Sequence, residues 1–136
     1  MKYGPKPNEC VALLVGDDLS LEGIVRRTVG RDLGHIPILR HHARLGPALD
    51  AAWREQVDLA VIDLRGSLED ETGLLAAFVT QTPDIPVVVI GEKARSAEIE
   101  TLLENSPHRR SMNARADAEE IRRAITGCAK KQTGWR

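Results

Sequence analysis

Apolar residues in this chain fall into two alternating kinds of run. The first kind is short and continuous: Val11-Ala12-Leu13-Leu14-Val15, Ile36-Pro37-Ile38-Leu39, Leu59-Ala60-Val61-Ile62 and Val87-Val88-Val89-Ile90. These runs are rich in β-branched residues and bounded by Gly, Pro or Asp. They predict strands buried on both faces, as in a parallel sheet. The second kind has helical spacing. Its stripes are Leu21, Ile24, Val25, Thr28 and Val29; Leu45, Leu49, Ala52 and Trp53; Leu74, Leu75, Phe78 and Val79; Ile99, Leu102 and Leu103; and Ile121, Ala124, Ile125 and Cys128. Asp117 with Glu120 three residues later is a capping-box arrangement that starts the last helix. Arg109-Arg110-Ser111-Met112 falls where a fifth strand belongs and is polar enough to be an edge strand or an irregular segment. The order is β-α-β-α-β-α-β-α-β-α. Such alternation implies a doubly wound α/β fold, a five-stranded parallel sheet with helices on both faces. Its crossovers are expected to be right-handed, with chemistry gathered at the carboxyl ends of the strands.

Length sets one domain: 136 residues suffice for a core, and no internal repeat divides them. Residues 1–9 read as a disordered lead-in, 10–128 as the folded domain, and 129–136 as a tail or the start of a linker. With four aromatic residues, the core must rest on Leu, Ile, Val and Ala. A net charge of −1 argues against a surface made to hold nucleic acid or an anionic membrane. No apolar run approaches the roughly 20 residues needed to span a bilayer. Cys10 and Cys128 have no metal-like or redox-like spacing and read as thiols in a reducing, cytoplasmic compartment.

Carboxylates supply the candidate chemistry. The first strand runs into Gly16-Asp17-Asp18 and the third ends in Asp63. In a doubly wound sheet these ends are neighbours, and carboxylates brought together repel unless a cation sits among them. Oxygen ligands of this kind suit Mg²⁺, which could shield a phosphoryl group while a carboxylate acts as its nucleophile. An Asp directly after a buried strand is equally at home as a helix N-cap.

Three segments resemble bacterial response-regulator receiver domains, over about residues 10–128. Val11 to Leu19 is similar to the family's first strand and acidic pair, Val57-Asp58-Leu59-Ala60-Val61-Ile62-Asp63-Leu64 to its third strand, and Asp84-Ile85-Pro86-Val87-Val88-Val89-Ile90 to its fourth. The resemblance implies a CheY-like, flavodoxin-like sheet of order 2-1-3-4-5. It implies Asp63 as phosphoacceptor, with Asp17 and the adjacent Asp18 as candidates to help hold Mg²⁺. It also implies a regulatory role in two-component-type signalling, including transcription regulation. The partner would be a protein or attached output domain, reached through the family's output or dimer face, here about Ser96 to Asn105 and Asp117 to Cys128, with Ile99, Leu103, Ile121 and Ile125 as its apolar residues.

The departures are as specific. With Val15 aligned before the acidic pair, Gly16 takes the first acidic place, Asp17 the second, and Asp18 falls outside; a one-residue shift restores Asp17-Asp18 but worsens the match along the first helix. No Met-Pro follows Asp63, and Gly73 comes ten positions after it. Gly91, followed by Glu92, stands where the family has a Ser or Thr that engages the phosphoryl group. Met112 stands at the Lys that pairs with it, and Arg109, Arg110 and Arg115 are not expected to replace that lysine. The switch is therefore expected to be incomplete. Ile90-Gly91-Glu92 and Met112 further resemble the degenerate receivers of FleQ-like flagellar enhancer-binding regulators.

Two other readings are open. A small phosphohydrolase using Asp63 as nucleophile would need, on the haloacid-dehalogenase pattern, a second Asp two residues on, where Arg65 stands, and no Gly-x-x-x-x-Gly-Lys phosphate loop is present. A purely structural dimerisation module would never meet phosphate. His35, His41 and His42 read as solvated loop residues, Arg26-Arg27 and Arg122-Arg123 as wet helix faces, Trp53 as core, and Trp135 as exposed or packed on a further domain.

Overall fold

A computed structural model describes residues 8–65, 72–91, 100, 101, 103 and 107–131. Five strands alternate with helices: β1 (Glu9–Val15), α1 (Leu19–Arg27), β2 (Ile36–His42), α2 (Leu45–Arg54), β3 (Leu59–Asp63), α3 (Thr72–Gln81), β4 (Val87–Gly91), β5 (Arg109–Asn113) and α4 (Ala118–Lys131). Between β4 and β5 the described residues Glu100, Thr101 and Leu103 are helical, and Leu103 is buried. The rest of the helix expected at Ser96 to Asn105, including Ile99 and Leu102, lies outside the described residues.

All strand pairs are parallel, in the order β2-β1-β3-β4-β5. Because successive side chains of a strand point to opposite faces, the buried runs feed two separate cores. Leu13, Val15, Ala60, Ile62, Val87 and Val89 pack with α2 and α3, and Phe78 is fully buried there. Ala12, Leu14, Leu59, Val61, Val88 and Ile90 pack with α1 and α4. Asp58 ties the amino ends of β1 and β3, its carboxylate accepting from the Val11 amide at 2.9 Å. Among the described residues no helix is long and apolar enough to cross a membrane.

Three expectations drawn from the apolar pattern fail for identifiable reasons. β2 is not buried on both faces: it borders the sheet, and its residues are exposed or half-buried. Trp53 is 59% exposed, because Leu45, Ala48, Leu49 and Ala52 already fill the inner face of α2, and its indole N–H donates to Gln81 Oε1 at 3.0 Å. Leu74 is likewise exposed, one position off the Leu75–Phe78–Val79 stripe.

Other features follow the sequence pattern. β5 is the opposite edge strand, with Arg109 and Met112 turned inward. The Asp117–Glu120 box is reciprocal, with Glu120 N donating to Asp117 Oδ1 at 2.8 Å and Asp117 N to Glu120 Oε1 at 3.5 Å. Cys10 and Cys128 are buried and not disulfide-linked. Two of the three histidines, by contrast, are not loop residues: β2 runs on to His42, so His41 and His42 pair with Leu14 and Val15 of β1, and His35 precedes the strand, its Nδ1 donating to Leu33 O at 2.7 Å. One feature has no sequence signal. Beyond α1 the helix widens into a π turn over Thr28–Asp32, with Leu33 N donating to Thr28 O at 3.1 Å, before Gly34 at φ +69° leads into β2.

Candidate functional site

At the carboxyl end of β1 the chain turns at Gly16, whose φ of +139° suits a residue with no Cβ. A Cβ added there would lie 2.9 Å from the Asp63 Cβ. No side chain, acidic or other, fits that place without displacing β3. The corner is fixed on its other side by β2: Gly16 N donates to His42 O at 3.0 Å, and His41 Nε2 donates to Gly16 O at 2.6 Å.

The two following aspartates take different places. Asp17 is exposed. Asp18 is the N-cap of α1, its Oδ1 accepting from Ser20 N at 2.9 Å and Ser20 Oγ at 2.6 Å. The helix-cap role weighed from the sequence thus belongs to Asp18, whose second oxygen is turned into the site.

Asp63 ends β3, 3% exposed. Both its oxygens are taken by Arg65, two residues on. The Arg65 amide and Nε donate to Asp63 Oδ1 at 3.0 and 2.8 Å, and Nη2 donates to Oδ2 at 3.1 Å. The same Nη2 donates to Asp18 Oδ2 at 3.1 Å, and Nη1 reaches Ala114 O, just past β5, at 3.3 Å. One planar fork thus links residues at the ends of β1, β3 and β5, a geometry that guanidinium offers and ammonium does not. The hydrogen bonds to Asp63 hold the guanidinium above its ordinary pKa. Asp18 is held below the ordinary carboxylate range, chiefly by its bonds from Ser20 and further by Arg65. The outer side of Arg65 lines an open cavity of about 320 Å³ between α1 and the start of α4.

The expected switch positions lie close by. Gly91 ends β4 and is buried; a Cβ there would meet the Leu64 Cβ at 3.6 Å, an ordinary contact, so space does not require a glycine. Met112 lies opposite Ile90 in β4 and packs in the core between the sheet, α1 and α4. Glu92 and the loop 66–71 lie outside the described residues. Of the three arginines near the lysine place, Arg109 is buried with its guanidinium on Val79 O and Thr82 O, capping the last carbonyls of α3, while Arg110 and Arg115 are exposed.

The residues considered for Mg²⁺ do not fit a metal as they stand. Three carboxylate oxygens that would face it already accept from Arg65. Among the described residues no group of three or more His, Cys, Asp or Glu could hold a metal ion. In the sequence Arg65 stands out only as the residue that breaks a hydrolase motif. A cation two positions past a strand-end Asp, in a fold that gathers carboxylates there, is the signal for its place in the site.

No family model matches the chain, and no curated protein matches it. Solved structures do. The chain is similar to a two-component transcriptional regulator AraC from Clostridium phytofermentans ISDg, with TM-score 0.69 and 16% identity over 90% of this chain and 95% of that one. It is similar to the signal receiver domain of an HD domain-containing protein from Pseudomonas fluorescens Pf-5, with TM-score 0.68 and 17% identity over 91% and 97%. An adenylate cyclase from Rhodopirellula baltica gives TM-score 0.66 and 18% identity over 91% and 90%. Likeness at such identity establishes architecture, and the architecture of this chain is that of the CheY-like response-regulator receiver domains.

Proposed function

We propose that this chain is the receiver-type module of a two-component signalling protein, and that it regulates a partner or an attached output domain through contacts rather than through a completed phosphoryl switch. The observation that carries this reading is the pair of residues at the switch positions of a receiver fold. Gly91 brings no hydroxyl and Met112 no charge to the strand ends beside Asp63. A phosphoryl group adds about −1.5 to −2 charges, and it orders its surroundings only where donors can bind the new oxygens. A modification moves an equilibrium only by its differential interaction with the two states. With two of the usual sources of that difference missing, the domain holds one arrangement and its partner reads that arrangement.

The contact surface follows from what the core leaves exposed. Ile121, Ile125 and Leu103 are buried, so they serve the core. The outward face of α4 presents Arg123 and Glu119 instead. A homodimer or output contact through this face is therefore ionic and weakens with salt. A cytoplasmic location accords with two buried thiols. Turnover by an Asp63 nucleophile is disfavoured, because both of its oxygens are engaged.

The test treats the purified chain with a small acyl-phosphate donor and Mg²⁺, then follows intact mass and sedimentation. The expected result is no change of association state, whether or not any phosphoryl group is taken up. Stoichiometric phosphorylation of Asp63 coupled to a monomer–dimer change would overturn the reading.

A further inference from the structure

We propose that Arg65 is the resident cation of the Asp18–Asp63 site, standing where a receiver-type domain would hold a divalent metal, and that it fixes the ends of β1, β3 and β5 in one arrangement. This deepens the regulatory reading and rests on it for its meaning in signalling.

The Asp63 side chain is 4% exposed, and a carboxylate so placed is costly unless paired and hydrogen-bonded. A metal or a side-chain cation can meet that need. Here the chain meets it from two residues away: the Arg65 amide closes a tight turn onto Asp63 Oδ1, and that turn brings the guanidinium back over both oxygens. The same group reaches Asp18 from α1 and the Ala114 carbonyl past β5. A Mg²⁺ ion would have to displace four side-chain hydrogen bonds, three of them to carboxylates. It would also find no acid at Gly16, a corner that admits no side chain. Arg65 thus supplies one positive charge where a divalent metal would supply two, and it does so permanently, because the guanidinium is covalently held and keeps its proton.

The test uses the whole chain as wild type, Arg65→Ala and the double variant Arg65→Ala/Asp63→Asn, each titrated with MgCl₂ alone and followed by melting temperature and calorimetry. A ligand that binds only the folded state raises the melting temperature with its concentration. The wild type is expected to ignore Mg²⁺ up to about 10 mM, a range that registers any millimolar site. Arg65→Ala is expected to melt lower without metal, to recover part of the loss with Mg²⁺, and to bind it at least about tenfold more tightly than wild type. The double variant removes both charges; it is expected to melt above Arg65→Ala and to be indifferent to Mg²⁺.

The proposal falls if wild type and Arg65→Ala respond to Mg²⁺ alike, or if Arg65→Ala melts as wild type does without metal. If Arg65→Ala does not fold, the comparison passes to the other two proteins. A folded, Mg²⁺-indifferent double variant beside an indifferent wild type then supports the proposal, and a double variant that is also unfolded overturns it. The two readings fail separately. Phosphoryl-driven association of a chain whose melting ignores Mg²⁺ would sink the regulatory reading alone. Mg²⁺ binding by wild type without such association would sink the role of Arg65 alone.

Discussion

At the scale of single residues, two glycines stand at the ends of β1 and β4, and their surroundings differ. Gly16 combines a φ of +139° with a Cβ position 2.9 Å from the Asp63 Cβ. Gly16→Ala therefore both strains the backbone and drives into β3, with an expected loss of about 1–3 kcal/mol in denaturant unfolding. Gly91 has ordinary contact distance to Leu64, so Gly91→Ser is expected to fold with a stability within about 1 kcal/mol of wild type. An equal loss at both positions would show that the site's packing has been misread. Asp18 carries a pH signature. Its folded-state pKa lies below that of the unfolded chain, so its contribution is complete above about pH 4 and fades as pH falls through the lower folded value. Asp18→Asn keeps an N-cap but loses the charge. Its stability is expected to fall less steeply than wild type below about pH 4, by under about 1 kcal/mol because the side chain is two-fifths exposed. Parallel acid limbs for the two proteins would remove Asp18 from the electrostatics of the site. The strand-end positions of the acidic residues were legible because buried β-branched runs announce where strands stop. The pairing of Asp63 with Arg65 was not, since pattern reading places an Arg after a strand in solvent and says nothing of a side chain that folds back.

At the scale of elements, the apolar code was legible wherever one face is unambiguous. The last helix is an instance: Ile121, Ala124, Ile125 and Cys128 are all buried, and the Asp117–Glu120 box closes as its spacing implied. Asp117→Ala is expected to cost about 1 kcal/mol, read by thermal melting, with the loss of the bond from Glu120 N; no loss would mean the helix end is held from elsewhere. Elements next to a sheet edge or carrying alternative apolar positions were less legible. β2 has the composition of a buried strand, yet the order 2-1-3-4-5 places it at the border, and order is a property of the whole sheet. On α2 Ala48, which the stripe leaves out, shares the inner face with Leu45 and Ala52 and keeps Trp53 outside it, and on α3 Leu74 loses to its neighbour Leu75 in the same way. The π turn at Thr28–Asp32 leaves no trace in the pattern, because it closes the helix and no further turn follows to carry a shifted stripe.

At the scale of the whole molecule, the sheet brings three strand ends to one guanidinium, and Gly91 and Met112, the positions proposed to read a phosphoryl group, offer neither hydroxyl nor charge. The proposed consequence is a receiver-type domain fixed in one arrangement and read by contact. The most direct measurement is the backbone amide NMR spectrum of the chain with and without Mg²⁺ and beryllofluoride, a phosphoryl mimic. A working switch would report as displaced amide resonances around Asp63, Gly91 and the β5–α4 segment, because a ligand shifts populations when it binds one state better. The expected spectra superpose apart from slight, unsaturated shifts next to the site. Saturable shifts running from Asp63 through Gly91 to β5 and α4 would contradict a domain fixed in one arrangement.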